Sequence, residues 1–299
     1  MHDEQIVQVT TISRPRSLWT TVRLYWPLIK ILQTLLLLIT GIGGYMSAYD
    51  PVLHWTRILS LSASLFLAIS GSTMLNMVLD RDIDALMKRT QSRPLPAGKL
   101  DSTQVTVVSV TLSTIGVLWG FILSPLFGAV ITAGLIFDVM VYSLWLKRRT
   151  AWAVIWGGIS GGMPVLAGRV LGTGQFDLVG MLLALAIVTW IPSHIIPLTL
   201  RYREDYARAG IPTVPARYGE KVTRIIVSLS ITVTAVMMLL AAYQSGMSQQ
   251  FLIMIAGLGA ALLLAAVVNA LFKTRLLNLI LFKSASLYML GTMAFMIVG

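Results

Sequence analysis

The chain has 299 residues, of which 56% are apolar and only 12% charged, with a mean hydropathy of +0.80. A water-soluble domain of this length needs far more charge to cover its surface, so the composition points to a polytopic α-helical membrane protein whose spans each take about 20 residues. The net charge of +11 suits nucleic acid in principle, but the basic residues sit in short stretches between apolar runs, which excludes that partner, and the lack of any cysteine excludes disulfides, thiolate metal sites and thiol catalysis.

Residues 1–26 read as an N-terminal tail. The tail contains Asp3 and Glu4 and no apolar core, so it is neither a signal peptide nor an Arg-rich transit peptide, and a plasma membrane is the expected location. Nine spans follow, over 27–47, 57–79, 103–123, 126–146, 152–170, 178–200, 222–243, 250–271 and 277–298. The connections alternate in character. Those near 48–56, 124–125, 171–177 and 244–249 carry no Lys or Arg, whereas 80–101, 147–150, 201–221 and 272–276 hold 15 of the 23 basic residues. The positive-inside rule then predicts a cytoplasmic N-terminus, four cytoplasmic basic loops and an outer C-terminus.

Two of the basic loops are long, those after spans 2 and 6. Each begins with acids, passes through basic residues and ends in Pro/Gly turns: DRDIDALMKRTQSRPLPAG and EDYARAGIPTVPARYG. Their four-span offset suggests a pseudo-repeat.

The first of these loops begins at an acidic helix end. Positions four apart in a helix advance about 400°, so Asn76, Asp80 and Asp84 form one stripe, while Asp82 points elsewhere. Two carboxylates and an amide oxygen on one face favour a cation between them, and an all-oxygen set with no His or Cys favours Mg²⁺. Such an ion fills its remaining positions with water and phosphate oxygens. Lys88, Arg89 and Arg93 on one loop, with Arg201, Arg203 and Arg208 on the other, supply the matching cations, which reads as binding of a lipid-borne diphosphate. The alternative is that Asp80, Asp82 and Asp84 merely end a helix against neighbouring Lys and Arg. A helix C-terminus disfavours anions, which weighs against that reading.

The string NMVLDRDIDALMKRTQSRPLPAGKL resembles the first signature of the UbiA superfamily of intramembrane prenyltransferases. Within it the chain is most similar to the branch that farnesylates protoheme IX, which has Asn-x-x-x-Asp-x-x-x-Asp followed by Arg-Pro-Leu-Pro, matched here by Asn76, Asp80, Asp84 and Arg93-Pro94-Leu95-Pro96. YSLWLKRRT at 142–150, GGISGGMPVLAG at 157–168, DYARAGIPTVP at 205–215 and LFKSASLYML at 281–290 agree with it. Quinone-type members usually show Asn-Asp in the first motif and Asp-x-x-x-Asp in the second. This chain has Asn76-Met77, and Ala209 four residues after Asp205. The residues around His194 depart from the haem branch's pattern, although the histidine is kept.

The resemblance implies an all-α bundle over 27–299 with two cytoplasmic lid loops. It implies transfer of a farnesyl group from farnesyl diphosphate to haem B within membrane lipid. Asn76, Asp80 and Asp84 would hold Mg²⁺. Lys88, Arg93, Arg208, and Lys147 or Arg148 would neutralise the diphosphate as it leaves an allylic cation. Glu204 and Asp205 would help hold the metal or order the lid. His194 would meet the haem, its iron or a propionate, with a hydrogen-bonded structural histidine as the alternative. Asp138, a lone acid inside span 4, reads as a functional candidate or a pairing across the bundle. Lys30 either reaches the diphosphate or snorkels to the interface, and the glycines at 157–168 read as helix-packing positions. Two rival functions are a quinone-type prenyltransferase and an ion-coupled transporter. Transporters place their acids near the midplane on broken helices, whereas these acids sit at helix ends beside basic loops.

Overall fold

The computed structural model describes residues 17–48, 54–272 and 274–298. The expected tail therefore lies outside the described residues up to position 16, as do Lys273 and residues 49–53 of an expected outer connection. Among the described residues every regular element is a helix. Eight helices are long and apolar enough to cross a membrane, and a ninth span is made by a bent pair.

The bent pair comes first. Helix α1 (Leu18–Tyr25) runs into a 3₁₀ turn, Trp26–Ile29, and then Lys30 takes a left-handed conformation (φ 43°) before α2 (Ile31–Met46). A left-handed residue cannot continue an α-helix, and the two arms meet at 58°. The span expected as one helix over 27–47 is thus broken at Lys30.

The following elements are α3 (Trp55–Leu79), the short α4 (Arg81–Leu86), α5 (Ser102–Leu123) and α6 (Pro125–Leu135). Without a break, α6 continues as a π-helix over Ile136–Leu146. Next come α7 (Ala153–Thr173), α8 (Leu178–Arg201), the short α9 (Arg203–Arg208), α10 (Val214–Gln244), α11 (Gln249–Phe272) and α12 (Arg275–Val298). Local chemistry sets the boundaries. Asp101 and Asp177 cap α5 and α8 by accepting from the backbone N–H groups of Gln104 and Gly180, both at 2.9 Å. Ser124 alone links α5 to α6, where Pro125 opens the helix. The order long helix, six-residue acidic helix, long helix occurs twice, as α3–α4–α5 and α8–α9–α10, and both pairs pack closely. This is the structural counterpart of the suspected pseudo-repeat.

Backbones approach where glycine removes the side chain. A methyl group added to Gly168 of α7 would fall on the Gly41 carbonyl of α2, and one on Gly162 would sit 2.8 Å from the Ala184 carbonyl of α8. The glycines of the 157–168 stretch therefore set helix spacing. The two largest apolar cores lie one around Leu61, Phe127 and Val170 and the other around Leu183, Ile231 and Met293. Large apolar side chains such as Leu32, Leu59, Ile122 and Leu264 remain exposed outside, as expected of a surface solvated by lipid.

At the end of α7 a buried arginine ties three elements together. Arg169 donates to Asp177 at 2.6 and 2.9 Å and also to the Ser47 carbonyl. Arg169→Ala strands the acid and the carbonyl, and is expected to cost about 3 kcal/mol. The check is thermal unfolding of purified protein in detergent, read as a lower midpoint.

Candidate active site

The acidic stripe survives the end of α3. Although Asp80 leaves helical geometry (φ −94°, ψ 4°), its N–H still bonds the Asn76 carbonyl at 2.9 Å, and the Asp84 N–H bonds the Asp80 carbonyl at 2.8 Å. The hydrogen-bond ladder therefore carries the four-residue spacing across the break. One turn earlier the same stripe includes Ser72.

The π-helix faces this stripe. Asp138 Oδ2 accepts from Asn76 Nδ2 at 2.7 Å and from the Ser72 hydroxyl. Ser143 donates to Asn76 Oδ1 at 2.8 Å, and the Lys147 ammonium pairs with Asp80. An α-helix advancing about 100° per residue would set Asp138 and Lys147 on opposite sides. The wider π turn, seen in the Lys147 N–H bond to the Tyr142 carbonyl at 2.8 Å, brings both to the same face.

The loop after α4 contributes Arg93, whose guanidinium donates to Asp84 at 2.7 Å, and Asp84 is only 5% exposed. Lys147 lies within electrostatic reach of both Asp80 and Asp84, and Lys30, half-buried at the bend of the first span, within reach of Asp80 and Asp138. Asp82 turns away as its position in the stripe predicts. It pairs through two 2.7 Å bonds with Arg148, which holds its carboxyl below the usual carboxylate range.

The second long loop packs onto the first. Asp205, buried on α9, accepts from the backbone N–H groups of Lys88 and Arg89 at 3.2 and 3.3 Å and from Arg208 at 3.1 Å. Ile83, Met87 and Ile211 form a small apolar cluster beneath these bonds. The Arg89 and Arg201 guanidinium groups both lie over the Tyr202 ring, at 5.2 and 5.5 Å.

The structure thus gathers Asn76, Asp80, Asp84, Arg93 and Lys147 and fastens Lys88, Asp205 and Arg208 beside them. It does not bring Arg148 or His194 into this group. Arg148 lies on the exposed side with Asp82, and the Lys88 side chain is itself exposed. His194 sits between the rings of Trp190 and Phe282, at 4.7 and 4.5 Å, with its Nδ1 3.1 Å from the Ser286 hydroxyl.

Sequence reasoning missed Ser72 and Ser143, and also Tyr142, whose ring centroid lies 5.7 Å from the Lys147 ammonium. Ser72 was accessible by extending the stripe back by four residues. Ser143 was not, because only π geometry turns it toward Asn76.

Among the described residues no three His, Asp or Glu side chains converge as a metal cluster. The fit to a hard cation rests instead on two carboxylates and an amide oxygen. One observation bears on it directly: Asp80 Oδ1 is buried and has no hydrogen-bond partner. Such an acceptor is costly unless something positive meets it, and an ion that keeps water and phosphate oxygens as further ligands needs few protein donors.

Comparison with known proteins agrees with this geometry. The profile of the UbiA prenyltransferase family matches residues 37–287. A protoheme IX farnesyltransferase of Pyrobaculum neutrophilum is 43% identical over 71% of this chain and 76% of its own length. One from Thermofilum pendens is 39% identical over 74% and 77%. Among solved structures, a digeranylgeranylglyceryl phosphate synthase superposes with a TM-score of 0.77 at 19% identity, covering 94% of this chain and 98% of that one. A UbiA homologue from Archaeoglobus fulgidus bound to DMAPP and Mg²⁺ gives 0.72 at 17% identity, covering 92% and 99%. With a profile match across most of its length and relatives at this identity, the chain belongs to the UbiA prenyltransferase family.

Proposed function

We propose that this chain is a Mg²⁺-dependent intramembrane enzyme that transfers the farnesyl group of farnesyl diphosphate to protoheme IX, giving haem O. The observation that carries the reading is the stripe Asn76–Asp80–Asp84 set against Lys147 and Arg93, with one buried Asp80 oxygen left open. The acceptor and donor rest on the relatives named protoheme IX farnesyltransferase.

Asn76, Asp80 and Asp84 hold Mg²⁺, which when bound stabilises the negative charge of the departing diphosphate. Lys147 and Arg93 stand where they can exchange a carboxylate for a diphosphate oxygen, and Lys88 and Arg208 extend the positive edge of the site. Arginine binds phosphate oxygens in a planar fork and lysine acts as a point charge. The C–O bond to diphosphate breaks with its electron pair on oxygen. The allylic cation takes the π electrons of a haem vinyl group, and water then adds with loss of a proton to leave the hydroxyethylfarnesyl substituent. Asp205, by holding the 88–89 backbone, keeps the two loops together as a lid. The lid, the N-terminus and the basic loops face the cytoplasm, and the C-terminus lies outside.

Three measurements test this. With Mg²⁺, farnesyl diphosphate and haem B, purified protein should yield a heavier haem, and Asp80→Ala and Asp84→Ala should each lower the yield by about 100-fold or more. Prenylation of 4-hydroxybenzoate with haem untouched would keep the mechanism and reject the acceptor. Asp205→Ala should speed amide hydrogen exchange at Lys88 and Arg89, and unchanged exchange would reject its loop-holding role. Because the chain has no cysteine, Ala97→Cys and Gln175→Cys give clean topology probes. An impermeant maleimide should label Gln175→Cys in intact cells and Ala97→Cys only after lysis, and the reverse pattern would invert the orientation.

A further inference from the structure

Asp138 has a role that no part of the proposed reaction assigns. It lies within the span formed by α6 and the π-helix, where an acid is expensive unless it is put to use. A carboxylate only accepts hydrogen bonds, whereas a primary amide has a donating nitrogen end and an accepting oxygen end of nearly the same shape. Nothing in the shape of Asn76 decides which end faces the site.

Asp138 decides it. Its Oδ2 receives Asn76 Nδ2 at 2.7 Å, so the nitrogen end is held at Asp138 and the oxygen end is left to face Ser143, one π turn nearer Lys147 on the same helix. Ser72 donates to the same oxygen and fixes the carboxylate from a second direction. At that end Asn76 Oδ1 accepts from the Ser143 hydroxyl at 2.8 Å, a rotor that can turn away when a stronger partner arrives. Only the amide oxygen can ligate a hard cation. Asp138 and Ser143 are five residues apart and reach one side chain because this stretch is a π-helix.

We propose that Asp138 is a positioning residue that clamps the nitrogen end of the Asn76 carboxamide and thereby presents its oxygen to the metal and diphosphate. The proposal rests on the reading of Asn76, Asp80 and Asp84 as the metal-holding set. Ser143 serves only as a replaceable donor in the absence of the ion.

The test is Mn²⁺ binding to the full chain in detergent with farnesyl diphosphate and no haem, followed by electron paramagnetic resonance. Thermal unfolding of each variant is recorded alongside. Asp138→Asn keeps the shape but offers Asn76 either orientation, and should weaken Mn²⁺ binding about 10-fold or more with little change in unfolding midpoint. Ser143→Ala should bind as wild type or more tightly. In the double variant Asn76→Asp with Asp138→Asn, the group at position 76 has no wrong end, so affinity should return to wild type or better. That arm decides the matter if the single Asp138 variant does not fold. The proposal is overturned by wild-type Mn²⁺ affinity in Asp138→Asn, by a loss in Ser143→Ala as large as in Asn76→Ala, or by failure of the double variant to recover. A wild-type protein whose Mn²⁺ binding ignores Asp80→Ala would instead sink the metal reading itself.

Discussion

Two carboxylates one helical turn apart and largely withdrawn from water repel one another, and each is costly without a cation against it. Asp80 and Asp84 are in that position, and the structure answers with one cation for each. The two cations come from different elements. Arg93 comes from the loop after α4, and Lys147 from the last turn of the long helix opposite. Meeting the electrostatic requirement therefore fixes the end of α3, its loop and the π-helix relative to one another. A site assembled in this way is positively charged at its rim and negatively charged at its base, which suits a metal–diphosphate pair.

The same demand shapes the elements around it. The π-helix has a cost in hydrogen-bond geometry relative to an α-helix, and its return is that Asp138, Ser143 and Lys147 all face α3. Asp205 extends the arrangement to the other half of the bundle by taking two backbone N–H groups of the first loop. Far from this end, close contacts at Gly41, Gly162 and Gly168 bring α2, α7 and α8 together. The glycine packing holds the bundle, and the polar pairs locate the chemistry at one end of it.

Much of this was legible from the chain. The long helices begin and end within a few residues of the apolar runs, because the bilayer and the charged loops define the same boundaries. The exceptions have local causes. The first span breaks where Lys30 adopts a left-handed conformation, and α10 starts early at Val214, its first residues being set off from the rest by a kink at Gly219 (φ 76°). The stripe of Asn76, Asp80 and Asp84 was readable from a four-residue period, and so was the divergence of Asp82 toward its own partner.

What the sequence by itself determined was membrane-spanning architecture, the acidic stripe and the basic loops, since all three depend on hydropathy and spacing along one helix. Which cation meets which acid was decided by tertiary structure, because Lys147 and Arg148 are adjacent in the chain and only the helix phase sends one to Asp80 and the other to Asp82. The π-helix likewise had no periodic signature, and it alone sets Asp138 against Asn76. The placement of His194 between Trp190 and Phe282 also depends on the packing of α8 against α12, a contact between segments about 90 residues apart that no local pattern encodes.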